Sequence, residues 1–221
     1  MRTCACLYGK DFAALLEQFK TAKAAGADMV EVRLDLTENQ DSVDQLTFFT
    51  LPVIVSNRKI REGGLSKDND ERIINLLRAM KFATGYVDIE ISSLKADLKQ
   101  IQDFAKSNGI KVIASYHNYK LTPDFADLKK MFSDASKFAD TLKIFSAVRN
   151  EDDMKSIKKL FEFAEGKKTR LSVTTLGKKI VPNKNNHIVY AKLGGVEYPS
   201  PMSHFPTIPE AKAMIEKAMT L

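Results

Sequence analysis

The chain has 221 residues, with 34 Lys and Arg against 28 Asp and Glu, a formal net charge of +6, 44% hydrophobic residues and two cysteines. That mixture excludes a disordered, collagenous or disulfide-stapled polypeptide, and the length fits a single α/β barrel. Cys4 and Cys6 stand two apart, so on a strand they share a face and cannot bridge each other, which points to a reducing, cytoplasmic compartment. The opening residues turn polar at Lys10 and Asp11, too early for a signal peptide, and no apolar run approaches bilayer length. Lysines such as Lys95, Lys99, Lys106, Lys129 and Lys130 are spread over helix surfaces, not gathered into a stripe with aromatics. They read as solvated surface, neither a nucleic-acid nor a membrane interface.

Taken in chain order, short β-branched runs alternate with longer amphipathic ones. A strand over 3–8 is followed by a helix running from Asp11 through Leu15, Phe19 and Ala22 to a stop at Gly26. The second strand, 29–36, leads to 40–50, where there is room for a short helix at most. Strand 52–58 precedes a helix that Asn69 or Asp70 can cap, with Ile73, Ile74, Leu77 and Met80 on one face, ending before Gly85. Strand 86–91 and helix 94–107, strand 111–118 and helix 123–138, and strand 141–148 and helix 151–164 follow as regular pairs. Strand 169–175 is joined to strand 187–193 by a segment rich in Gly, Lys, Pro and Asn, which reads as a loop, and a helix over 208–219 closes the chain. Eight strand starts recur at roughly one βα unit of spacing, so the expected fold is a (β/α)8 TIM barrel, one domain over 1–221.

Parity within the strands singles out residues. In Val30-Glu31-Val32-Arg33-Leu34-Asp35-Leu36 the charges Glu31, Arg33 and Asp35 share one face, where a barrel interior ordinarily holds branched apolar side chains. Asp88 and Glu90 share a face in the fourth strand, Ser115 and His117 in the fifth; Arg58 ends the third, and Lys143 lies between Leu142 and Ile144 in the sixth. A buried charge costs several kcal/mol unless paired, so these groups imply a compensated network, which is either a reacting site or a structural anchor. Glu31 and Arg33 serve equally as ligand contacts or as partners of each other or of Glu90. A strand histidine such as His117 is as readily a satisfied half-buried residue, and Glu62-Gly63-Gly64 alone is a turn. For Lys143, apolar neighbours would push the ammonium pKa down toward a nucleophilic amine. His117, His187 and His204 have no metal-ligand spacing, so no metal constellation is read, and no glycine-rich phosphate loop is present.

In register on these strands, Glu31-Val32-Arg33-Leu34-Asp35, Arg58-Lys59-Ile60-Arg61-Glu62-Gly63-Gly64, Ser115-Tyr116-His117-Asn118 and Lys143-Ile144 resemble type I 3-dehydroquinate dehydratase of the shikimate pathway. The resemblance covers the first six strands. It implies a Schiff-base lyase acting on the small molecule 3-dehydroquinate, without cofactor, as a homodimer. Lys143 matches the imine-forming lysine, His117 the general acid and base, and Glu62 the carboxylate that orients the histidine. Glu31, Arg33 and Arg58 match residues that hold substrate hydroxyls and support the lysine, and Arg33 or Arg58 with desolvation would favour the neutral amine.

The family's carboxylate-binding arginine after strand seven and its Ser-Ala-Pro-Gly-Gln stretch after strand eight have no counterparts here. Ungapped pairing puts the arginine position within 181–183, Ser200 at the serine and His204 at the glutamine. Asn183, Lys178, Lys179 or Lys184 then stands in for the arginine, a lysine only as a point charge without the bidentate fork. Two other readings remain: a lysine Schiff-base barrel of the aldolase kind, and a divergent member that binds ligand without catalysis.

Overall fold

The computed structural model describes residues 1–83, 85–177, 183–200 and 202–220. Eight parallel strands form one sheet curled into a nearly closed barrel, a single-domain (β/α)8 TIM-barrel fold, as the alternation of the sequence predicts. The strands are β1 (Arg2–Leu7), β2 (Met29–Arg33), β3 (Val53–Ser56), β4 (Gly85–Glu90), β5 (Lys111–Asn118), β6 (Thr141–Val148), β7 (Arg170–Gly177) and β8 (Ile188–Ala191). Their order around the barrel is β7-β6-β5-β4-β3-β2-β1-β8.

The helices are α1 (Phe12–Ala24), α2 (Asn69–Met80), α3 (Lys95–Ser107), α4 (Phe125–Ala135), α5 (Glu151–Ala164) and α6 (Ile208–Met219). Each lays an apolar stripe on the outside of the sheet: Leu15 and Phe19 from α1, Leu128 and Phe132 from α4, and Ile157 and Leu160 from α5 are buried in the core. The outward residues of the strands, such as Val30 and Val32 of β2, meet that stripe, so both faces of each strand are covered. Helix ends follow local chemistry. Asn150 and Asp153 form a reciprocal cap at the start of α5. The cap of α2 is Asp68, not Asn69 or Asp70: its side chain accepts from the Glu71 N–H at 2.8 Å, because the chain enters the helix earlier than the apolar period indicates.

Two units depart from the regular pattern. Between β2 and β3 there are only 3-10 turns, over Leu34–Leu36 and Val43–Phe48, and among the described residues no helix lies between β7 and β8. The β7–β8 seam is closed in part by side chains. His187 N–H donates to the Leu171 carbonyl at 2.7 Å, and Ile188 N–H donates to Ser172 Oγ at 3.0 Å. The Asn186 amide imitates a strand residue, accepting from Val173 N–H at 3.0 Å and donating to Val173 O at 3.1 Å. Lys178 and Lys179 lie outside the described residues. The second strand also ends sooner than its alternation suggests, at Arg33, and a 3-10 turn over Leu34–Leu36 carries Asp35.

Candidate active site

TIM-barrel interiors are filled in layers of four side chains drawn from alternate strands. Here the even strands supply Glu31 from β2, Asp88 from β4, Lys143 from β6 and Tyr190 from β8, so one layer is charged where branched apolar residues are usual. Lys143 Nζ lies 3.0 Å from Glu31 Oε1, 3.0 Å from Asp88 Oδ2 and 4.0 Å from the centre of the Tyr190 ring. The lysine is 5% exposed.

Burial alone would lower the Lys143 pKa, but Asp88 and Glu31 outweigh it and hold the ammonium above its ordinary value. The expectation of a lysine pushed down toward the free amine is therefore corrected. Its sequence neighbours Leu142 and Ile144 point to the opposite face of the sheet, and two carboxylates from other strands set its charge. The same pairing keeps both acids ionised. Burial works against this, yet Lys143 and Arg58 bring Asp88 down to about 2, and Lys143 lowers Glu31.

Arg58, just past β3, joins this layer to the next. Its NH2 lies 3.3 Å from Asp88 Oδ2 and 3.8 Å from Glu31 Oε1, and its NH1 lies 2.6 Å from His117 Nδ1 and 3.4 Å from Ser115 Oγ. Ser115 in turn donates to Asp88 Oδ1 at 2.5 Å. Glu62 Oε2 accepts the backbone N–H of His117 at 3.0 Å and stands 3.3 Å from its Nδ1, while Ser92 donates to Glu62 Oε1 at 2.6 Å. Burial, then the cations Arg58, Lys143 and Arg33, hold the His117 pKa well below its ordinary value, so the ring is neutral. Burial raises the Glu62 carboxyl. Gly64 makes the turn that carries Glu62: a Cβ there would stand 2.0 Å from the Arg58 carbonyl oxygen, so only glycine lets the two backbones approach.

Arg33 is clamped to Asp35 through Nε at 2.9 Å and NH2 at 2.7 Å, and its NH1 donates to the Met202 sulfur at 3.3 Å. Glu90 pairs with Arg72 of α2 at 2.8 Å, not with Arg33, and acts on Arg58 through space. Arg33, Arg58, His117, Lys143 and Tyr190 line a cavity of about 20 Å³, room for about one water, together with Met202, Phe205 and Tyr119, whose hydroxyl donates to the Glu62 carbonyl at 2.8 Å.

The structure thus brings Lys143, His117, Glu62, Glu31, Arg33 and Arg58 into one interior. It does not bring in the three residues of the last loops. Asn183 and His204 line an adjoining cavity of about 560 Å³ that shares Phe145, Thr174, Tyr190 and Phe205 with the small one. Ser200 is exposed and lines neither. Lys184 faces a separate recess with Met1 and Arg170, at the N-terminal ends of the strands and away from Lys143. Sequence reasoning noted Asp88 by parity without placing it beside Lys143. It missed Tyr190, Tyr119, Met202 and Phe205, whose residue types carry no chemical signal.

A family model described as type I 3-dehydroquinase matches residues 3–178. A 3-dehydroquinate dehydratase of Methanosarcina acetivorans is 32% identical over 196 residues, covering 82% of this chain and 78% of that protein. One of Methanothermobacter thermautotrophicus is 29% identical over 192 residues, covering 81% of this chain and 85% of that one. The crystal structure of 3-dehydroquinate dehydratase from Geobacillus kaustophilus superposes with a TM-score of 0.86 at 17% identity, over 99% of this chain and 91% of that one, a likeness of fold.

Proposed function

The chain belongs to the type I 3-dehydroquinase family, and on that premise we propose that it dehydrates 3-dehydroquinate to 3-dehydroshikimate through an imine on Lys143. The observation that carries this reading is a buried lysine nitrogen set 3.0 Å from two carboxylates, in the same chamber as a neutral histidine.

The proton alpha to a ketone is too weakly acidic for a side-chain base, and an iminium supplies the missing electron sink. The Lys143 amine attacks the C3 carbonyl carbon and the oxygen leaves as water, giving a protonated imine. His117 takes a C2 proton, forming an enamine, and returns a proton to the departing C1 hydroxyl. Hydrolysis of the conjugated iminium frees the lysine, and the net change is the loss of one water. A histidine suits both transfers because its ring, held neutral at rest, can take up a proton as base and return it as acid.

Glu31 and Asp88 act in opposite directions on two steps. They keep the resting lysine protonated, which slows attack, and they sit where the iminium charge develops, which stabilises it. Glu62 orients His117, while Arg33 and Arg58 meet substrate oxygens. A thioether is a weak acceptor, so a substrate oxygen readily displaces Met202 from Arg33. Asn183 and His204 belong to the approach cavity, and Ser200 takes no part.

The reading also makes the protein a cytoplasmic homodimer that needs no metal or organic cofactor; family likeness supports the dimer, which light scattering checks. Incubation with 3-dehydroquinate tests the reaction: the absorbance of a conjugated enone rises with the unaltered protein and stays flat with Lys143→Ala. Carbon–carbon cleavage products, or ligand binding without enone, would favour the aldolase or non-catalytic readings.

A further inference from the structure

Arg58 NH1 and Glu62 Oε2 stand 2.6 and 3.3 Å from the same atom, His117 Nδ1. A guanidinium only donates, so while Arg58 holds Nδ1 that nitrogen is an acceptor and the single proton of the neutral ring sits on Nε2. An ionised carboxylate only accepts, so Glu62 can hold Nδ1 only when the proton is there. The two neighbours require opposite tautomers of one imidazole.

We infer that Arg58 is a positioning residue that sets the tautomer of His117. With Arg58 on Nδ1, the ring offers an N–H at Nε2 and is poised as an acid. When an oxygen of a bound ligand draws the NH1 edge of Arg58 away, Nδ1 carries the proton and donates it in a hydrogen bond to Glu62, and Nε2 presents the lone pair that a base requires. The ring carries one proton in both states: bulk solvent takes the proton from Nε2 and supplies one to Nδ1.

Several contacts support this arrangement. Glu62 does not need the ring at rest, because Ser92 and the His117 backbone N–H already donate to its two oxygens. Arg58 keeps its place on the NH2 side through Asp88 at 3.3 Å, so only its other edge has to shift. The groups facing the ring are Arg58, Glu62 and Phe145, with Lys143 and Arg33 acting through space, and the cations among them favour the neutral form in which a tautomer choice exists. Only the identity of the displacing ligand rests on the proposed function; the resting tautomer does not.

The test is nitrogen-15 NMR of the full chain labelled at histidine, at neutral pH, with His117→Gln used to assign the ring signals. The resting protein is expected to show an unprotonated Nδ1 and a protonated Nε2 at His117. Saturation with 3-dehydroshikimate, and separately Arg58→Leu, should move the proton to Nδ1. A resting proton on Nδ1 overturns the inference, as does an unchanged tautomer at saturation. If Arg58→Leu does not fold, the two spectra of the unaltered protein decide the matter. Absence of dehydration would instead overturn the reaction and leave the resting tautomer standing.

Discussion

Lys143 Nζ and Glu31 Oε1 lie 3.0 Å apart although 112 residues separate them in the chain. Closure of the barrel brings them together, since β2 and β6 stand on opposite sides of it. Glu31→Gln removes one of the two charges that raise the lysine. The pH profile of imine formation should therefore move to lower pH, with a loss of about 3 kcal/mol in urea unfolding from breaking a buried pair. An unmoved profile would show that Glu31 does not set the charge of the lysine.

Because the folded-state pKa of Lys143 is raised, its neutral fraction at pH 7 is small and grows as pH rises. The initial rate of imine formation should climb about tenfold per pH unit through the neutral range, as long as one deprotonation limits it. Stopped-flow trapping at several pH values checks this, and a flat profile would mean that the resting amine is already neutral.

At Gly64 the constraint is space, not backbone conformation. Gly64→Ala puts a methyl carbon 2.0 Å from the Arg58 carbonyl oxygen and 2.6 Å from the Arg58 Cβ, so the turn bearing Glu62 must move away from Arg58. Thermal and urea denaturation should register a loss of about 2 kcal/mol. Turnover should fall with it. Normal turnover would separate this turn from the chemistry.

How much of this was legible in the sequence depends on what kind of signal a residue carries. Glu31, Asp88 and Lys143 break the apolar rule of a barrel interior, so parity alone marks them as inward and costly. Tyr190 and Met202 obey ordinary expectations, and nothing short of the folded layer shows that one lies under the ammonium and the other caps Arg33. The direction of the Lys143 shift is not legible from its apolar strand neighbours, because the two carboxylates that set it, Glu31 and Asp88, come from β2 and β4. Helix ends with glycine just beyond them, as after α1, were readable. The cap of α2 was not, because three consecutive polar residues, Asp68, Asn69 and Asp70, offer competing starts.

Met202 and Phe205 line the cavity of about 20 Å³ beside Lys143, which is smaller than a substituted cyclohexane ring. Met202→Ala removes part of that lining and the sulfur on Arg33, which widens the space beside Lys143. Trapping at low substrate concentration should become several-fold faster. An unchanged rate would place the barrier to entry elsewhere.

Acid should destabilise the fold in a defined window. His117 and His187 have folded-state pKa values below the ordinary 6.5, the latter at about 4, so below pH 6.5 the unfolded chain binds more protons and stability falls. Asp88, lowered from 3.8 to about 2, contributes on the order of 2 kcal/mol that is present above about pH 4 and lost as pH falls through 2. Glu62, raised by burial, works in the opposite sense and blunts the decline. Melting temperatures should drop between pH 6.5 and 4, and His187→Gln should flatten part of that drop. A stability independent of pH over this range would contradict the burial of these rings.

The most direct measurement is reduction with sodium borohydride in the presence of 3-dehydroquinate, followed by peptide mass analysis. A covalent adduct on the peptide carrying Lys143, absent in Lys143→Ala, is the predicted result. Enone formation with no adduct on that peptide would show that dehydration proceeds without the imine and would contradict the account.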